Sequence, residues 1–160
     1  MRILYIGKFQ PFHLGHLRAI SLIRELSNDI VLAIGSPRNN QYFSLDERIR
    51  MVMKNTSICP KIVDDLERDH PMYNNWGRYV LKVTGDVDIV ATGNPIVNED
   101  FSHEGKHILF FNRDEKKLSG TIVRKLIESK DQSWVSLVPD NSVEIIKTSE
   151  YYARYNYERR

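Results

Sequence analysis

Two histidines near the start of the chain, His13 and His16, are spaced so that both imidazoles can act on one ligand. They close the segment 7–16, Gly-Lys-Phe-Gln-Pro-Phe-His-Leu-Gly-His, which follows a short apolar run and precedes a helical pattern. A strand-to-helix turn points backbone N–H groups and a helix N-terminus at whatever lies above it, and that environment favours anions. Gly15 leaves room for a ligand beside the helix start. The segment therefore predicts a site for phosphate groups.

Metal binding is the competing interpretation of the histidine pair. Zinc would need a third Cys, His, Asp or Glu ligand, and no obvious motif supplies one, so we predict no protein-bound metal. The other histidines, His70, His103 and His107, lie in polar stretches and are predicted to be surface residues.

A second candidate anion site lies at residues 119–124. A Ser or Thr that caps a helix adds its hydroxyl group to the first N–H groups of that helix. Arg124 lies one turn beyond Thr121, where a guanidinium can bind two phosphate oxygens and oppose charge that develops during transfer. The alternative is an ordinary cap followed by a solvated arginine. Lys8 likewise either adds charge to the phosphate site or is a solvated loop lysine.

Short β-rich runs alternate with helical patterns along the chain. Apolar runs predict strands at 3–6, 29–35, 61–63, 87–91 and 107–111. Helical periodicity predicts helices at 14–26, 45–54, 75–84, 121–129 and 142–147. Ser44 and Glu47 have the spacing of a capping box at the start of the second helix.

This alternation predicts a single α/β domain with a parallel five-stranded sheet and helices on both faces. The continuous apolar runs at 30–34 and 107–111 are typical of strands buried on both faces. Ligands of such sheets bind beyond the carboxyl ends of the strands, near the point where strand order reverses. The segments after four of the strands each carry glycine and a small polar residue, and we expect them to meet at one ligand site: 7–16, 35–36, 92–95 and 118–121.

Length and composition fit one soluble domain, because 160 residues with 41% hydrophobic content can build one core. A net charge of +2 is too mild to indicate a nucleic-acid partner. No apolar run approaches the roughly 18 residues that span a bilayer, and no leader pattern is visible, so we expect a cytoplasmic protein. We expect the single cysteine, Cys59, to be a buried structural thiol. A P-loop motif and a GxGxxG turn are both missing, which disfavours P-loop kinases and classical dehydrogenases.

Residues 7–16 resemble the (H/T)xGH motif of the nucleotidylyltransferase superfamily, and residues 119–124 resemble its second signature, an ISSTxxR-like element. Over about residues 1–147 the chain looks most like archaeal-type nicotinamide-nucleotide adenylyltransferases. The supporting local features are Gly35-Ser36, Asp46-Glu47-Arg48, Trp76 and Gly93-Asn94-Pro95-Ile96-Val97. The resemblance implies a Rossmann-like, doubly wound α/β fold.

The resemblance also implies a reaction, in which the phosphate of nicotinamide mononucleotide (NMN) attacks the α-phosphorus of ATP in line and gives NAD and pyrophosphate. No protein nucleophile is needed, so catalysis would rest on positioning and on stabilisation of phosphate charge. His13, His16 and Arg124 would act on the ATP phosphates. The other implied ATP ligands are Gly7, Lys8, Phe9, Gly15, Gly93, Asn94, Ser119 and Thr121. Mg²⁺ would bridge phosphate oxygens and take few ligands from the protein.

Trp76 is the implied nicotinamide ligand, since a tryptophan after strand three stacks on that ring in the family and an indole face attracts a cationic pyridinium. The alternative is that Trp76 fills the core between helix and sheet. Asn74 and Asn75 are candidates to bond the carboxamide. The loop after Gly35-Ser36 looks shorter than in the family, which has a further phosphate-binding arginine there, and Arg38 and Arg48 are candidates to replace it.

Other functions stay open at this point. A related nucleotidylyltransferase could use FMN, phosphopantetheine or glycerol phosphate as acceptor, and a non-catalytic module could sense NAD or ATP. A class I aminoacyl-tRNA synthetase fragment is disfavoured by the short chain. The resemblance further implies a homo-oligomer. We expect residues 1–149 to form the nucleotidylyltransferase domain, and the Tyr- and Arg-rich tail at 150–160 to pack on the body, pack on a partner subunit or form a mobile end.

Overall fold

A computed structural model of the chain describes residues 1–36, 39, 41–112 and 117–157. The described strands are β1 (Arg2–Gly7), β2 (Asp29–Ser36), β3 (Lys61–Asp64), β4 (Ile89–Thr92) and β5 (His107–Phe110). The described α-helices are α1 (Leu14–Leu26), α2 (Leu45–Thr56), α3 (Trp76–Thr84), α4 (Pro95–Ser102), α5 (Gly120–Glu128), α6 (Asp140–Lys147) and α7 (Glu150–Asn156), and a 3₁₀ helix spans Gln132–Leu137. The strands pair in parallel in the order β3-β2-β1-β4-β5. The predicted doubly wound, five-stranded α/β fold is confirmed.

The central strand β1 sends alternate side chains into two hydrophobic cores, one on each face of the sheet. Ile3 and Tyr5 belong to the first core, to which α1, α2, α5, α6 and α7 contribute. Leu4 and Ile6 belong to the second core, to which α3 and α4 contribute. Strand order reverses beside β1, since β2 lies on one side of it and β4 on the other. A ligand site is therefore expected above the carboxyl end of β1.

Local side-chain caps set the helix starts that matter for this edge of the sheet. The predicted capping box of α2 is present, because the Glu47 N–H donates to Ser44 Oγ over 3.1 Å and the Ser44 N–H donates to Glu47 Oε1 over 3.0 Å. Helix α5 is capped by Ser119, whose Oγ accepts the Ile122 N–H over 3.2 Å. Helix α1 has the predicted bounds, and its cap is His13.

Several local predictions are wrong. Cys59 is exposed, because it lies in the loop between α2 and β3, where Pro60 is the buried residue. Strand β5 lies at the edge of the sheet and Phe110 is 47% exposed, so the 107–111 run is not buried on both faces. Helix α4 was missed because Pro95 looks like the end of a turn, whereas it is the first residue of a helix capped by Asn94.

The C-terminal segment packs on the body of the domain as far as it is described. Residues 150–156 form α7, and its Tyr151 is buried in the first core. In the described part of the chain, no helix has the length and apolar character needed to cross a membrane.

Candidate active site

A cavity of about 1050 Å³ opens above the carboxyl ends of the strands. Each of the four segments that were expected to meet supplies residues to its wall, including Gly7, Gly35, Asn94 and Ser119. Because α1 and α5 belong to one core and α3 and α4 to the other, the cavity spans the sheet edge from one helical layer to the other. Its size suits a nucleotide-sized ligand.

The two histidines form one rigid unit at the start of α1. His13 Nδ1 accepts the Gly15 N–H over 3.0 Å, and His16 Nδ1 accepts the His13 N–H over 3.1 Å. The rings stack with centroids 3.8 Å apart, and both side chains are more than nine-tenths buried. Since each Nδ1 serves as an acceptor, a neutral ring carries its proton on Nε2. Both histidines line the cavity, so both imidazole rings lie at its wall.

The buried side chain of Phe9 packs inside the loop that follows β1. Its φ of 52° lies in the left-handed region, and its ring is buried between Phe12, at 5.5 Å, and His16, at 4.7 Å. A β-carbon on Gly7 would lie 3.2 Å from the Phe9 ring, so the ring folds back onto a position that suits glycine. The Phe9 ring therefore packs against the His16 ring. A positive φ at a residue other than glycine is strained, and such strain is found where the surrounding packing fixes a functional loop.

Arg124 reaches from α5 to the loop that carries the histidines. Its Nη1 donates to the Gln10 carbonyl over 2.7 Å, and its Nη2 donates to Thr121 Oγ1 over 3.2 Å. Its Cζ lies 4.1 Å from the centroid of the Tyr42 ring. Arg124 and Lys125 line the same cavity as Lys8 and the histidine pair, so three basic residues contribute to its wall.

Trp76 lines the cavity from the other helical layer. Its ring is half-buried and meets Phe101 edge-on at 5.9 Å, so it packs partly against the second core and partly against the cavity. Asp100 lines the same cavity from α4, and α4 packs closely on α3, because a β-carbon on Gly77 would lie only 2.6 Å from the Asp100 carbonyl oxygen. Burial, with a further contribution from the Glu99 charge, raises the pKa of the Asp100 carboxyl above its ordinary value.

The structure brings most of the predicted site residues together. Those that line the cavity are Gly7, Lys8, Phe9, His13, His16, Trp76, Asn94, Ser119, Thr121 and Arg124. The remaining four, all within the described chain, lie outside the lining: Gly15, Gly93, Asn74 and Asn75. Gly15 instead supports the His13 cap, and Asn75 is the N-cap residue of α3. His70, His103 and His107 are exposed, as predicted.

Sequence reasoning missed several lining residues, among them Tyr42, Asp65, Asp100 and Lys125. Asp65 follows β3, and a polar residue after a strand was a signal that could have found it. Tyr42 lies in a loop with no periodic pattern, so nothing in the sequence indicated it.

The structure describes only one of the two candidates for the family's phosphate-binding loop arginine. Arg38 lies outside the described residues. Arg48 is fully buried and does not line the cavity, and burial lowers the pKa of its guanidinium. It donates to the carbonyl oxygens of Gly35, over 3.0 Å, and Lys8, over 3.3 Å. Arg48 therefore links the loop after β1 to the end of β2. Among the described residues, no group of three or more His, Cys, Asp and Glu side chains is arranged to hold a metal ion.

This site geometry agrees with a match to a known family. The model of the cytidylyltransferase-like family matches residues 4–126, which include the histidine pair and Arg124. The chain therefore belongs to the cytidylyltransferase-like family.

Curated relatives narrow the class to one kind of nucleotidyltransferase. The nicotinamide-nucleotide adenylyltransferase of Methanococcus aeolicus is 35% identical over 158 residues, covering 91% of this chain and 88% of the relative. The enzyme of the same name from Archaeoglobus fulgidus is 30% identical over 169 residues, covering 92% and 91%. Nicotinamide-nucleotide adenylyltransferase 1 of Sulfolobus acidocaldarius is 31% identical over 158 residues, covering 92% and 89%.

Solved structures share the fold at lower sequence identity. A bifunctional NMN adenylyltransferase/ADP ribose pyrophosphatase from Francisella tularensis, complexed with AMP and a Mn ion, superposes with a TM-score of 0.62 at 18% identity over 96% of this chain and 51% of that one. Thermotoga maritima TmcAL, bound with alpha-thio ATP, superposes with a TM-score of 0.64 at 15% identity over 91% and 55%. This chain spans about half the length of each of these two proteins.

Proposed function

We propose that this chain is a nicotinamide-nucleotide adenylyltransferase, which joins ATP and NMN to give NAD and pyrophosphate. The observation that carries the proposal is a single cavity that joins a histidine pair and Arg124 to a half-buried tryptophan. The first group suits a triphosphate, and the second suits a flat cationic ring. The curated relatives, at 30–35% identity over most of the chain, carry the same name.

The chemistry is a direct displacement. A phosphate oxygen of NMN attacks the α-phosphorus of ATP, the new P–O bond becomes the pyrophosphate linkage of NAD, and the bond to the β-phosphate breaks. His13 and His16 donate from Nε2 to the oxygens that gain charge, and Arg124 binds the β- and γ-phosphates that leave. The fixed stack of the two rings lowers the reorganisation needed when that charge develops. The main-chain N–H groups at the start of α5 and the Ser119 and Thr121 side chains add donors on the same side.

The remaining ATP contacts come from the loops at the sheet edge. We propose that Gly7, Lys8, Phe9 and Asn94 contact ATP from the cavity wall. Gly15 and Gly93, which do not line the cavity, contribute through the backbone shape of their turns.

Mg²⁺ fits the oxygen donors available at this cavity. Two acidic side chains, Asp65 and Asp100, line the same cavity as the proposed phosphate ligands, and Mg²⁺ takes oxygen ligands. Asp65 and Asp100 would be its candidate protein ligands, ATP phosphate oxygens would supply most of the others, and the ion would neutralise charge on the leaving pyrophosphate.

The nicotinamide end rests on Trp76. Stacking on the part of its ring that faces the cavity holds the pyridinium, and the Asp100 side chain, which lines the same cavity, favours a cation over a neutral ring when it is ionised. Asn74 and Asn75 directly precede Trp76, are exposed and do not line the cavity; they are proposed to bond the carboxamide.

The test uses ATP labelled at the α-phosphate, Mg²⁺ and one acceptor at a time. NMN should yield labelled NAD and unlabelled pyrophosphate, whereas FMN, phosphopantetheine and glycerol phosphate should yield no adenylylated product. The proposal fails if another acceptor gives product and NMN gives none. It also fails if ATP or NAD binds but no pyrophosphate is released, which is the behaviour of a sensing module. A homo-oligomer, a cytoplasmic location and a domain boundary at residue 149 remain predictions from the resemblance and the sequence.

A further inference from the structure

The guanidinium of Arg124 is held against an aromatic ring that neither sequence motif contains. Its Cζ lies 4.1 Å from the centroid of the Tyr42 ring, within the range of a cation–π contact. Tyr42 lies between β2 and α2, and its side chain is half-buried at the cavity wall. The two hydrogen bonds of Arg124, to Gln10 and Thr121, use two of the five donors of a guanidinium.

Gln10 ties Tyr42 and Arg124 to the histidine loop at the same time. Its carbonyl accepts from Arg124, while its side-chain Oε1 accepts the Tyr42 N–H over 2.7 Å and the Phe43 N–H over 3.4 Å. The Gln10 side chain is almost fully buried. The loop after β1, the Tyr42 loop and α5 are therefore joined in a closed ring of contacts.

Helix α7 supports this ring from behind. Tyr151 meets Tyr42 edge-on, with centroids 5.7 Å apart, and meets Phe43 at 5.1 Å. Its hydroxyl donates to Glu128 Oε1 at the end of α5. Burial, together with the Glu128 carboxylate, raises the pKa of the Tyr151 hydroxyl far above its ordinary value, so it remains a neutral donor.

We propose that Tyr42 is a positioning residue, which fixes the plane of the Arg124 guanidinium for the phosphates of ATP, and that α7 backs Tyr42 through Tyr151. This inference rests on the proposed phosphate-binding role of Arg124. An arginine side chain loses rotamer freedom when it binds, and a guanidinium that already lies on a ring loses less. The C-terminal helix thereby becomes part of the support of the ATP site.

The first experiment compares Tyr42→Leu with Tyr42→Phe by steady-state kinetics for each substrate. Loss of the aromatic face should lower kcat/KM for ATP about tenfold, within the range of a cation–π contact. The KM for NMN should stay within about twofold, because Trp76 lies in the other helical layer. Tyr42→Phe keeps the face and should retain most of the activity. Wild-type kinetics in Tyr42→Leu, or equal losses in the two variants, would overturn the proposal.

A double-mutant cycle separates action through Arg124 from direct contact with substrate. If Tyr42 acts through Arg124, then adding Tyr42→Leu to Arg124→Ala should cause no further loss. A second loss of the same size in the Arg124→Ala background would overturn the proposal.

Helix α7 is tested with Tyr151→Leu and with Tyr152→Leu as its matched control. Both remove an aromatic ring from the same helix, but Tyr152 packs on Trp134, at 5.8 Å, and not on Tyr42. Tyr151→Leu should weaken ATP use selectively, and Tyr152→Leu should not. Equal effects of the two variants would refute the link through Tyr151.

Calorimetric titration with a non-hydrolysable ATP analogue keeps this inference distinct from the proposed reaction. Weaker analogue binding by Tyr42→Leu would support the inference even in a protein that makes no NAD. Normal NAD synthesis by the wild type, with analogue binding unchanged in Tyr42→Leu, would reject the inference alone.

Discussion

Substitution of Gly15 by alanine should separate activity from stability. A β-carbon at Gly15 would lie 2.8 Å from His13 Cε1 and 2.9 Å from His13 Nδ1, closer than non-bonded carbon atoms approach. The His13 ring cannot yield easily, because its Nδ1 accepts the Gly15 N–H and its face stacks on His16. The clash is therefore relieved only if the ring moves and breaks its hydrogen bond to Gly15 and its stack on His16.

The expected change in stability is small because two effects oppose each other. Loss of the side-chain cap costs about 1 kcal/mol. Alanine is favoured over glycine inside a helix by about 1 kcal/mol, and Gly15 lies in the first turn of α1. The net effect on the free energy of unfolding is then near zero, and each residual 1 kcal/mol would move Tm by about 2–4 °C. The turnover number should fall by about 10²–10³, the usual loss when one fixed donor to a developing charge is removed.

The assay pairs NAD formation with thermal melting. Leu22→Gly is the control, because Leu22 is 44% exposed on the outer surface of α1 and glycine there costs about 1 kcal/mol without touching either histidine. The control should lower Tm and keep kcat, whereas Gly15→Ala should keep Tm and lower kcat. If folded Gly15→Ala retains wild-type kcat, the histidine pair does not act on the phosphates.

Three further predictions concern single side chains. His16→Ala should lower kcat by about 10²–10³, while His107→Ala, at an exposed histidine, leaves it unchanged; equal losses in both would remove the specific role of His16. Trp76→Ala should raise the KM for NMN about tenfold with little change in the KM for ATP. Equal increases in the KM of both substrates would favour a core role for Trp76. In a Trp134→Phe variant that keeps Trp76, NMN should quench the fluorescence of Trp76. Asp100→Asn should raise Tm at neutral pH. The pKa of Asp100 is higher in the folded protein than in the unfolded chain, so ionisation lowers stability as the pH rises from the ordinary Asp pKa through the folded pKa. That gain in Tm should shrink as pH falls through the same window, and a gain that is constant with pH would show that ionisation is not its cause.

The parts of the fold that sequence predicts well are those set by interactions within a few residues. Helix α1 has the predicted bounds, and the Ser44–Glu47 capping box is present, because apolar periodicity and side-chain caps are local. The predicted burial of Cys59 and of strand β5 was wrong, because burial depends on where a residue or strand lies in the whole fold. An apolar run cannot indicate whether its strand has one neighbour or two.

The residues of the candidate site likewise fall into those that local sequence patterns indicate and those that distant contacts position. The decapeptide at 7–16 and the cap at Ser119 were visible because glycine, histidine and hydroxyl residues at fixed spacing have a local geometric purpose. Tyr42 and Asp100 were not visible, because each acquires its position from a neighbour far away in sequence. Tyr42 depends on Gln10, and Asp100 depends on the close packing of α4 against Gly77.

Contact between the two motifs makes them one unit. Arg124 donates to the carbonyl of Gln10 across 114 residues of sequence. A β-carbon on Gly120 would lie 2.9 Å from that carbonyl oxygen and 3.0 Å from Arg124 Nη1, so α5 approaches the histidine loop as closely as glycine permits. Residues coupled by a shared hydrogen bond do not contribute independently. The proposed phosphate site therefore lies where the loop after β1 meets α5, and substitutions on either side of this contact should affect the same step of the proposed reaction.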